Sequence, residues 1–193
     1  MKKLKLQIQM TVDGYVAGPN GELDWMVMNW SDDIMEYVTG MTDPVDGILM
    51  GRKMTEGFIT YWSSVVKDPA NPEYEFGRKM YDTPKVVFTK TLNESDPPVT
   101  GWQNTVLAKG DLLEEVQKLK DQEGGDLIVY GGSNFVSNLI RNNLIDEYYL
   151  FINPVIIGRG MAIFNAMEQR KRLELKDSTT FDCGITVLYY QPK

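Results

Sequence analysis

Short apolar runs separated by amphipathic stretches recur along the chain and predict alternating strands and helices. Apolar segments of four to eight residues, continuous or with period two, are typical of strands. The candidate strands are Leu4–Met10, Asp46–Met50, Lys85–Thr89, Thr105–Ala108, Asp126–Tyr130, Glu147–Ile157 and Ile185–Gln191, with a weaker one at Leu173–Leu175. Three of them contain continuous apolar runs, Gly47–Met50, Val86–Phe88 and Leu127–Tyr130, which predict strands buried on both faces of a largely parallel sheet.

Helical periodicity lies between several of these strands. Asp111 and Glu114 have the spacing of a capping box, and a helix that begins near Ser31 is a further candidate. The apolar stripes of three predicted helices are Ile34, Met35 and Val38; Leu112, Leu113, Val116 and Leu119; and Phe135, Val136, Leu139 and Ile140. Helices between parallel strands cover both faces of the sheet.

The last third of the chain has a different pattern. Alternation in Ile185–Gln191 indicates antiparallel pairing with one wetter face, and Pro154 interrupts the preceding strand because it has no N–H to donate. We therefore predict a three-layer α/β fold with a mostly parallel central sheet, an antiparallel C-terminal edge and helices on both faces. The length of 193 residues, 42% of them hydrophobic, predicts one domain spanning residues 1–193.

Composition excludes several function classes. The sequence has no histidine, which removes Ser-His and Cys-His catalysis and histidine-ligated metals, and its one cysteine, Cys183, excludes multi-cysteine zinc sites. A net charge of −7 without a basic cluster argues against nucleic-acid binding. No apolar run approaches the roughly 20 residues of a membrane span. We expect a cytoplasmic protein that binds no metal, nucleic acid or membrane.

Two adjacent glycines raise the question of function. Gly131-Gly132-Ser133 lies between a predicted strand and a predicted helix, where glycine weakens both elements. Such a turn lets a phosphate approach backbone N–H groups at the positive end of a helix. A structural explanation is equally open, in which one glycine eases the turn and Ser133 is the N-cap.

Two further turns have chemistry suited to phosphate. Gly51-Arg52-Lys53-Met54-Thr55 opens a predicted helix with two cations, which are unfavourable to the helix dipole unless an anion binds there. Thr89-Lys90-Thr91 places a cation between two hydroxyls, although by itself it resembles a solvated strand end. All three turns follow strands of the predicted parallel sheet, where open α/β folds bind ligands. The combination predicts an extended ligand such as a dinucleotide.

The order of these motifs resembles the dihydrofolate reductase superfamily, and within it the reductase domain of bacterial riboflavin biosynthesis. The resemblance covers nearly the whole chain. It rests on Thr11–Gly21, Gly51–Thr55, Thr89–Thr91, Gly131–Ser133, Leu144–Glu147, Pro154, Gly158–Gly160 and Phe164.

The resemblance implies a reductase that uses NADPH as its cofactor. The implied cofactor-binding residues are Val16, Ala17 and Gly18 beside the nicotinamide; Gly51, Arg52, Lys53 and Thr55 on phosphate and ribose; Thr89, Lys90 and Thr91 near the adenosine 2′-phosphate; and Gly131, Gly132, Ser133, Asn134 and Phe135 on the pyrophosphate. We also expect a homodimer, with the strand at Tyr148–Ile157 in its interface.

Hydride transfer requires a proton as well, and without histidine the donor is a carboxyl group, a tyrosine or an ordered water. Asp33 is the first candidate from the resemblance, with Asp32 and Glu36 as rivals, although an acidic residue also stabilises the first turn of any helix. Asp13, Trp25, Trp30 and Asp33 are candidate substrate-binding residues.

Three functions remain open at this point. The lead hypothesis is a reductase acting on a pyrimidine- or pterin-like heterocycle, most like 5-amino-6-(5-phosphoribosylamino)uracil reductase. The rivals are authentic dihydrofolate reduction and nucleotide binding without turnover on the same scaffold.

Overall fold

The computed structural model describes residues 1–97, 99–165 and 167–193, and within them the chain has the predicted α/β class. The strands are β1 (Leu4–Thr11), β2 (Val45–Gly51), β3 (Lys85–Phe88), β4 (Thr105–Ala108), β5 (Asp126–Val129), β6 (Glu147–Asn153), β7 (Leu173–Thr180) and β8 (Thr186–Pro192). The helices are α1 (Asp32–Thr42), α2 (Arg52–Val65), α3 (Tyr74–Asp82), α4 (Leu112–Lys120) and α5 (Ser133–Arg141). None of these helices combines the length and apolar character that crossing a bilayer requires.

The chain divides into two compact units. The first unit comprises residues 1–2 and 45–127, and the second unit comprises residues 3–44 and 128–193. Strand order is β4-β3-β2-β5 in the first unit and β5-β1-β6-β8-β7 in the second, so β5 contributes two residues to each. The expectation of one domain over residues 1–193 stays a prediction.

The pairs within the first unit are parallel, whereas the second unit combines parallel and antiparallel pairs. In the first unit β3 pairs in parallel with β2 and β4, and in the second β1 pairs in parallel with β6. The pairs β6–β8 and β8–β7 are antiparallel. The prediction of a mostly parallel sheet with an antiparallel C-terminal edge is therefore confirmed.

The continuous apolar runs differ in how deeply they are buried. Ile48, Leu49 and Met50 in β2 are fully buried, as expected for a strand covered on both faces. In β3 burial alternates along the strand: Lys85 and Val87 are buried, whereas Val86 and Phe88 are half-exposed. The prediction of burial on both faces was thus wrong for β3, which has only β4 between it and the edge of the sheet.

Several boundaries differ from the sequence predictions. β6 ends at Asn153 rather than Ile157, because Pro154 cannot donate to the ladder. β7 extends to Thr180 instead of Leu175; its side chains are mostly exposed, so pairing with β8 rather than an apolar pattern defines it. Helix α3 was not predicted at all.

Helix α4 begins at its predicted cap. Asp111 accepts hydrogen bonds from the backbone N–H groups of Leu113 and Glu114, at 2.9 and 3.3 Å. Leu113 was wrongly assigned to the apolar stripe, since it is 46% exposed. A cap fixes where a helix starts, but it does not decide which flanking residue faces the core.

The turn between β5 and α5 requires glycine for a conformational reason. Gly132 is the N-cap of α5, with φ +84° and ψ 88°. Ser133, the N-cap in the structural explanation of this turn, is instead the first helical residue. Side chains rarely adopt this left-handed backbone. A Cβ atom at Gly132 would meet only Phe135, at an ordinary 3.6 Å, so the requirement is one of backbone conformation rather than space.

We expect Gly132→Ala to lower the free energy of unfolding by about 1 kcal/mol, the usual cost of a left-handed backbone for an L-residue. Urea denaturation followed by circular dichroism measures this change. Gly40→Ala is the matched control, because Gly40 lies within α1 with nothing within 4 Å of an added Cβ. Gly40→Ala should raise the free energy of unfolding by up to about 1 kcal/mol. If both substitutions change the free energy of unfolding similarly, the backbone conformation of Gly132 is not the reason for its glycine.

Candidate active site

The β5–α5 turn of the second unit presents the start of a helix without a side-chain cap. Gly131 is buried, and Gly132 has no side chain to accept a hydrogen bond from the first turn of α5. The first turn also carries no acidic residue. The positive end of the helix dipole is therefore not neutralised by the helix's own residues, which favours an anionic group at this turn.

A loop from β1 reaches the same turn through Met161. The N–H of Val16 donates to the carbonyl of Met161, and the N–H of Met161 donates to the carbonyl of Ala17, both at 2.8 Å. The hydroxyl of Ser133 lies 3.6 Å from the sulfur of Met161. The structure thus brings together the predicted nicotinamide loop, Val16–Gly18, and the predicted pyrophosphate turn.

Gly160 makes this approach possible. A Cβ atom at this position would collide with the carbonyl oxygen of Ala17. Sequence reasoning noted Gly158–Gly160 but missed Met161, which has no distinctive pattern. The adjacent glycine is the signal from which a close backbone approach was predictable.

Asp13 connects the β1 loop to the segment after β6. Its carboxylate accepts hydrogen bonds from the backbone N–H groups of Gly158 and Ile157, at 2.7 and 3.3 Å. A hydrogen bond from the Thr11 side chain, followed by these backbone groups, lowers the pKa of Asp13 below its ordinary value. In this conformation Asp13, predicted to bind substrate, holds the two loops together.

The predicted substrate-binding tryptophans lie on the segment between the β1 loop and α1. Trp30 stacks on Phe151 with ring centroids 6.1 Å apart, and its Nε1 donates to the carbonyl of Val27. Trp25 is half-buried and donates to the carbonyl of Glu22 at 3.1 Å. Both indoles therefore have protein partners for their N–H groups.

A buried amide at the end of β6 positions this segment. Asn153 is fully buried; its Oδ1 accepts from the N–H of Val27 at 2.9 Å and its Nδ2 donates to Oε1 of Gln9 at 2.7 Å. Neither residue's role was predicted, because the bonds span 126 and 144 positions. Only an unexplained polar residue at the end of an apolar strand hinted at it.

Asp33 lies in the first turn of α1 and is bound by three donors. Its carboxylate accepts from the hydroxyl of Ser31, from the N–H of Ile34 at 2.8 Å and from the N–H of Asp182 at 3.1 Å. The Ser31 hydroxyl is the largest cause of a pKa below the ordinary value, and the two N–H groups lower it further. Asp33 is thus held as a carboxylate. The rivals Asp32 and Glu36 are exposed.

The other two predicted turns lie side by side in the first unit. Gly51, the N-cap of α2, pairs in register with Phe88, so Arg52 and Thr89 follow the ends of neighbouring strands. Arg52 and Lys53 are exposed in the first turn of α2. The hydroxyl of Thr55 is buried and donates to the carbonyl of Gly51 at 3.2 Å, an internal bond that fixes this turn.

The turn at Thr89–Thr91 has a defined hydrogen-bond pattern. The hydroxyl oxygen of Thr89 accepts from the N–H groups of Thr91 and Leu92, both at 3.1 Å. The ammonium group of Lys90 donates to the carbonyls of Lys109 and Gly110, at 2.7 and 2.6 Å, just beyond the end of β4. Lys90 thereby places an exposed cation at the carboxyl ends of β3 and β4.

Each unit, taken by itself, has chemistry suited to a phosphate group. The second unit supplies backbone groups and a helix N-terminus, and the first unit supplies exposed cations next to a second helix N-terminus. Among the described residues, no group of three or more carboxylate or cysteine side chains is placed to hold a metal ion.

Comparison with known proteins identifies the family. The model of the RibD C-terminal domain matches residues 2–187. The uncharacterized protein YyaP of Bacillus subtilis (strain 168) is 32% identical over 191 residues, which are 98% of this chain and 94% of that protein.

Two more distant relatives are larger proteins. The riboflavin biosynthesis protein RibD of Aquifex aeolicus (strain VF5) is 26% identical over 172 residues, 83% of this chain but 48% of that protein. A diaminohydroxyphosphoribosylaminopyrimidine deaminase/5-amino-6-(5-phosphoribosylamino)uracil reductase from Thermotoga maritima has the same fold, with a TM-score of 0.69 at 18% identity, over 100% of this chain and 57% of that one. Since the family match extends over nearly all of its length, the chain belongs to the RibD C-terminal domain family of reductases.

Proposed function

We propose that this protein is an NADPH-dependent reductase that transfers a hydride to a pyrimidine- or pterin-like heterocycle, as in 5-amino-6-(5-phosphoribosylamino)uracil reduction. The observation that carries the proposal is the contact through Met161, which joins the Val16–Gly18 loop to the start of α5 at Ser133. A nicotinamide and its pyrophosphate need two such elements next to each other. The family membership supports the reductase class.

The residues present fit a phosphorylated dinucleotide in charge and donor chemistry. Gly131–Phe135 would bind the pyrophosphate at the uncapped start of α5. Arg52 and Lys53 would pair with phosphate oxygens, and Lys90 with the 2′-phosphate that distinguishes NADPH from NADH. The cofactor supplies the hydride. The protein binds the cofactor and orients the heterocycle beside Val16–Gly18.

The substrate side is built from the β1 loop and the segment before α1. Trp25 and Trp30 would contact a planar ring, while the buried Asn153 fixes the backbone between them at Val27. Asp13 acts by holding the loop closed against Gly158. Asp33 remains the proposed proton donor, and its low pKa means that the carboxylate must first take up a proton.

Two measurements test the proposal. Calorimetry with millimolar NADPH should give a saturable heat of binding, and spectrophotometry should show NADPH oxidation with at least one member of a panel of pterins and pyrimidines that includes dihydrofolate. An absence of NADPH binding would refute the assignment of NADPH as the cofactor. Binding without oxidation across the panel would favour a nucleotide-binding protein without turnover.

Lys90→Ala should weaken the binding of NADPH by about tenfold to a hundredfold and leave the binding of NADH nearly unchanged. The reason is that one charge-assisted hydrogen bond to the 2′-phosphate contributes about 1.5–3 kcal/mol. Fluorescence titration of both cofactors measures the two dissociation constants. Lys109→Ala is the control, since Lys109 is a neighbouring exposed cation whose ammonium donates to Asn93. Equal losses for NADPH and NADH would place Lys90 away from that phosphate.

The proton donor predicts a direction for the pH dependence. If Asp33 donates the proton, its depressed pKa leaves only a small protonated fraction at neutral pH. We therefore expect kcat/KM to rise as pH falls from 8 to 5, by close to tenfold per unit. Asp33→Asn should remove this slope.

The rates in this experiment are corrected for the loss of NADPH without enzyme at each pH. Asp32→Asn is the matched control, because Asp32 is the preceding residue of the same helical turn and is exposed. If kcat/KM of Asp33→Asn still rises as pH falls, Asp33 is not the proton donor. Its role would then be limited to its hydrogen bonds with Ser31 and Asp182, and the proton would come from water.

A further inference from the structure

A cavity of about 590 Å³ in the second unit lies outside the candidate active site. This volume is within the roughly 300–1,000 Å³ typical of small-molecule sites. Its floor is apolar and deeply buried, and includes Ile140 near the end of α5 and Tyr148 and Leu150 of β6. The segment between β6 and β7 forms the opposite wall, with Phe164, Met167, Arg170 and Lys171.

The cavity lies far from the proposed nicotinamide loop, measured along either α5 or β6, the two elements that form its floor. Tyr148 pairs with Leu6 of β1, whereas Asn153 at the active-site end of β6 pairs with Thr11. These five residues of strand correspond to about 16 Å. Ile140 is likewise seven residues beyond Ser133, or about 10 Å along the helix. The proposed reductase reaction does not use this cavity.

Tyr148 lines the cavity and carries a buried hydroxyl that needs a partner. Its side chain is 1% exposed, and its hydroxyl has no hydrogen-bond partner among the residues that the structure describes. Burial raises the pKa of Tyr148, so the group stays an O–H donor across the physiological range. A buried hydroxyl without a partner costs about 1–3 kcal/mol. A ligand with an acceptor oxygen would remove that cost.

The polar wall carries more positive than negative charge. Arg170 and Lys171 both line the cavity, and Glu168 is the acidic residue that faces it from the same segment. The ammonium group of Lys171 lies 5.4 Å from the centroid of the Tyr148 ring, next to the buried phenol. Arg172 and Lys193 line an adjoining hollow together with Arg170 and Lys171, and Asp146 is the acidic residue in its lining. This local excess of cations contrasts with the overall net charge of −7.

We propose that this cavity binds an amphiphilic carboxylate. The apolar body would pack on Ile140 and Leu150, with Met167 as an adaptable side chain on the opposite wall. The carboxylate would accept a hydrogen bond from the Tyr148 hydroxyl and take its counter-charge from Arg170 and Lys171. Binding is non-covalent and independent of the proposed reductase activity.

Calorimetry with decanoate as the probe tests the assignment, with 1-decanol as the neutral analogue of the same chain length. Decanoate should bind saturably below 1 mM and at least fivefold more tightly than decanol, with the difference shrinking as salt increases. Tyr148→Phe should weaken decanoate about tenfold while keeping the ring in place. Arg170→Gln should weaken it severalfold and reduce the salt dependence.

Arg141→Gln is the matched control, because Arg141 is an exposed arginine of α5 that bonds to Asn138 and does not line the cavity. It should leave decanoate affinity unchanged, and unaltered near-ultraviolet circular dichroism should show that every variant is folded.

Several results would overturn the proposal. These are an absence of decanoate binding, equal affinities for decanoate and decanol, or equal decanoate affinities of Tyr148→Phe and the unaltered protein. Light scattering can give a further contradicting result, which is that decanoate binds only after a dimer of the chain has dissociated. In that case a second copy of the chain covers the cavity, and the carboxylate assignment fails.

Discussion

Two backbone hydrogen bonds between Met161 and the Val16–Ala17 segment hold the candidate site of the second unit together. They join a loop that follows β1 to one that follows β6, and the side chain of Met161 extends this contact to Ser133 at the start of α5. Parallel pairing of β1 and β6 places the two loops at the same edge of the sheet. Gly160 then lets the backbones approach, because any side chain there would meet the Ala17 carbonyl.

The charged residues of this region mostly serve to position backbone. Asp13 binds the N–H groups of Ile157 and Gly158, and Asp33 binds those of Ile34 and Asp182. Hydrogen bonds from the side chains of Thr11 and Ser31, followed by these backbone N–H groups, lower the pKa of Asp13 and of Asp33, respectively. A carboxyl group with a lowered pKa is almost fully ionised at neutral pH, so it can donate a proton only after it has taken one up. Asn153 achieves similar positioning without a charge.

The two sites proposed in the second unit use different physical chemistry. At the start of α5, recognition would depend on backbone N–H groups and the helix dipole, which suit a highly charged phosphate exposed to water. Around Tyr148, recognition would depend on apolar area and one buried hydroxyl, with cations at the rim. A ligand of the second kind would gain most of its affinity from burial and its orientation from Tyr148.

Local sequence determined most of the elements and the chemistry at their ends. Apolar runs located the strands, Asp111 located the start of α4, and the adjacent glycines marked the β5–α5 turn, where Gly132 alone has the left-handed backbone. These features depend on neighbours within a few residues, so propensity and periodicity are sufficient to predict them. Helix α3 was not predicted, and only Leu173–Leu175 of the exposed strand β7 was, because neither element has a strong apolar signal.

Only the tertiary structure decided what those elements contact. The bonds of Asn153 to Val27 and Gln9, of Asp33 to Asp182, and of Asp13 to Gly158 join residues that are 126 to 149 positions apart. A period of two specifies which face of a strand is buried, but it does not specify which distant loop meets the end of that strand. Strand order and register determine that meeting, and with it the position of Met161 and the cavity at Tyr148.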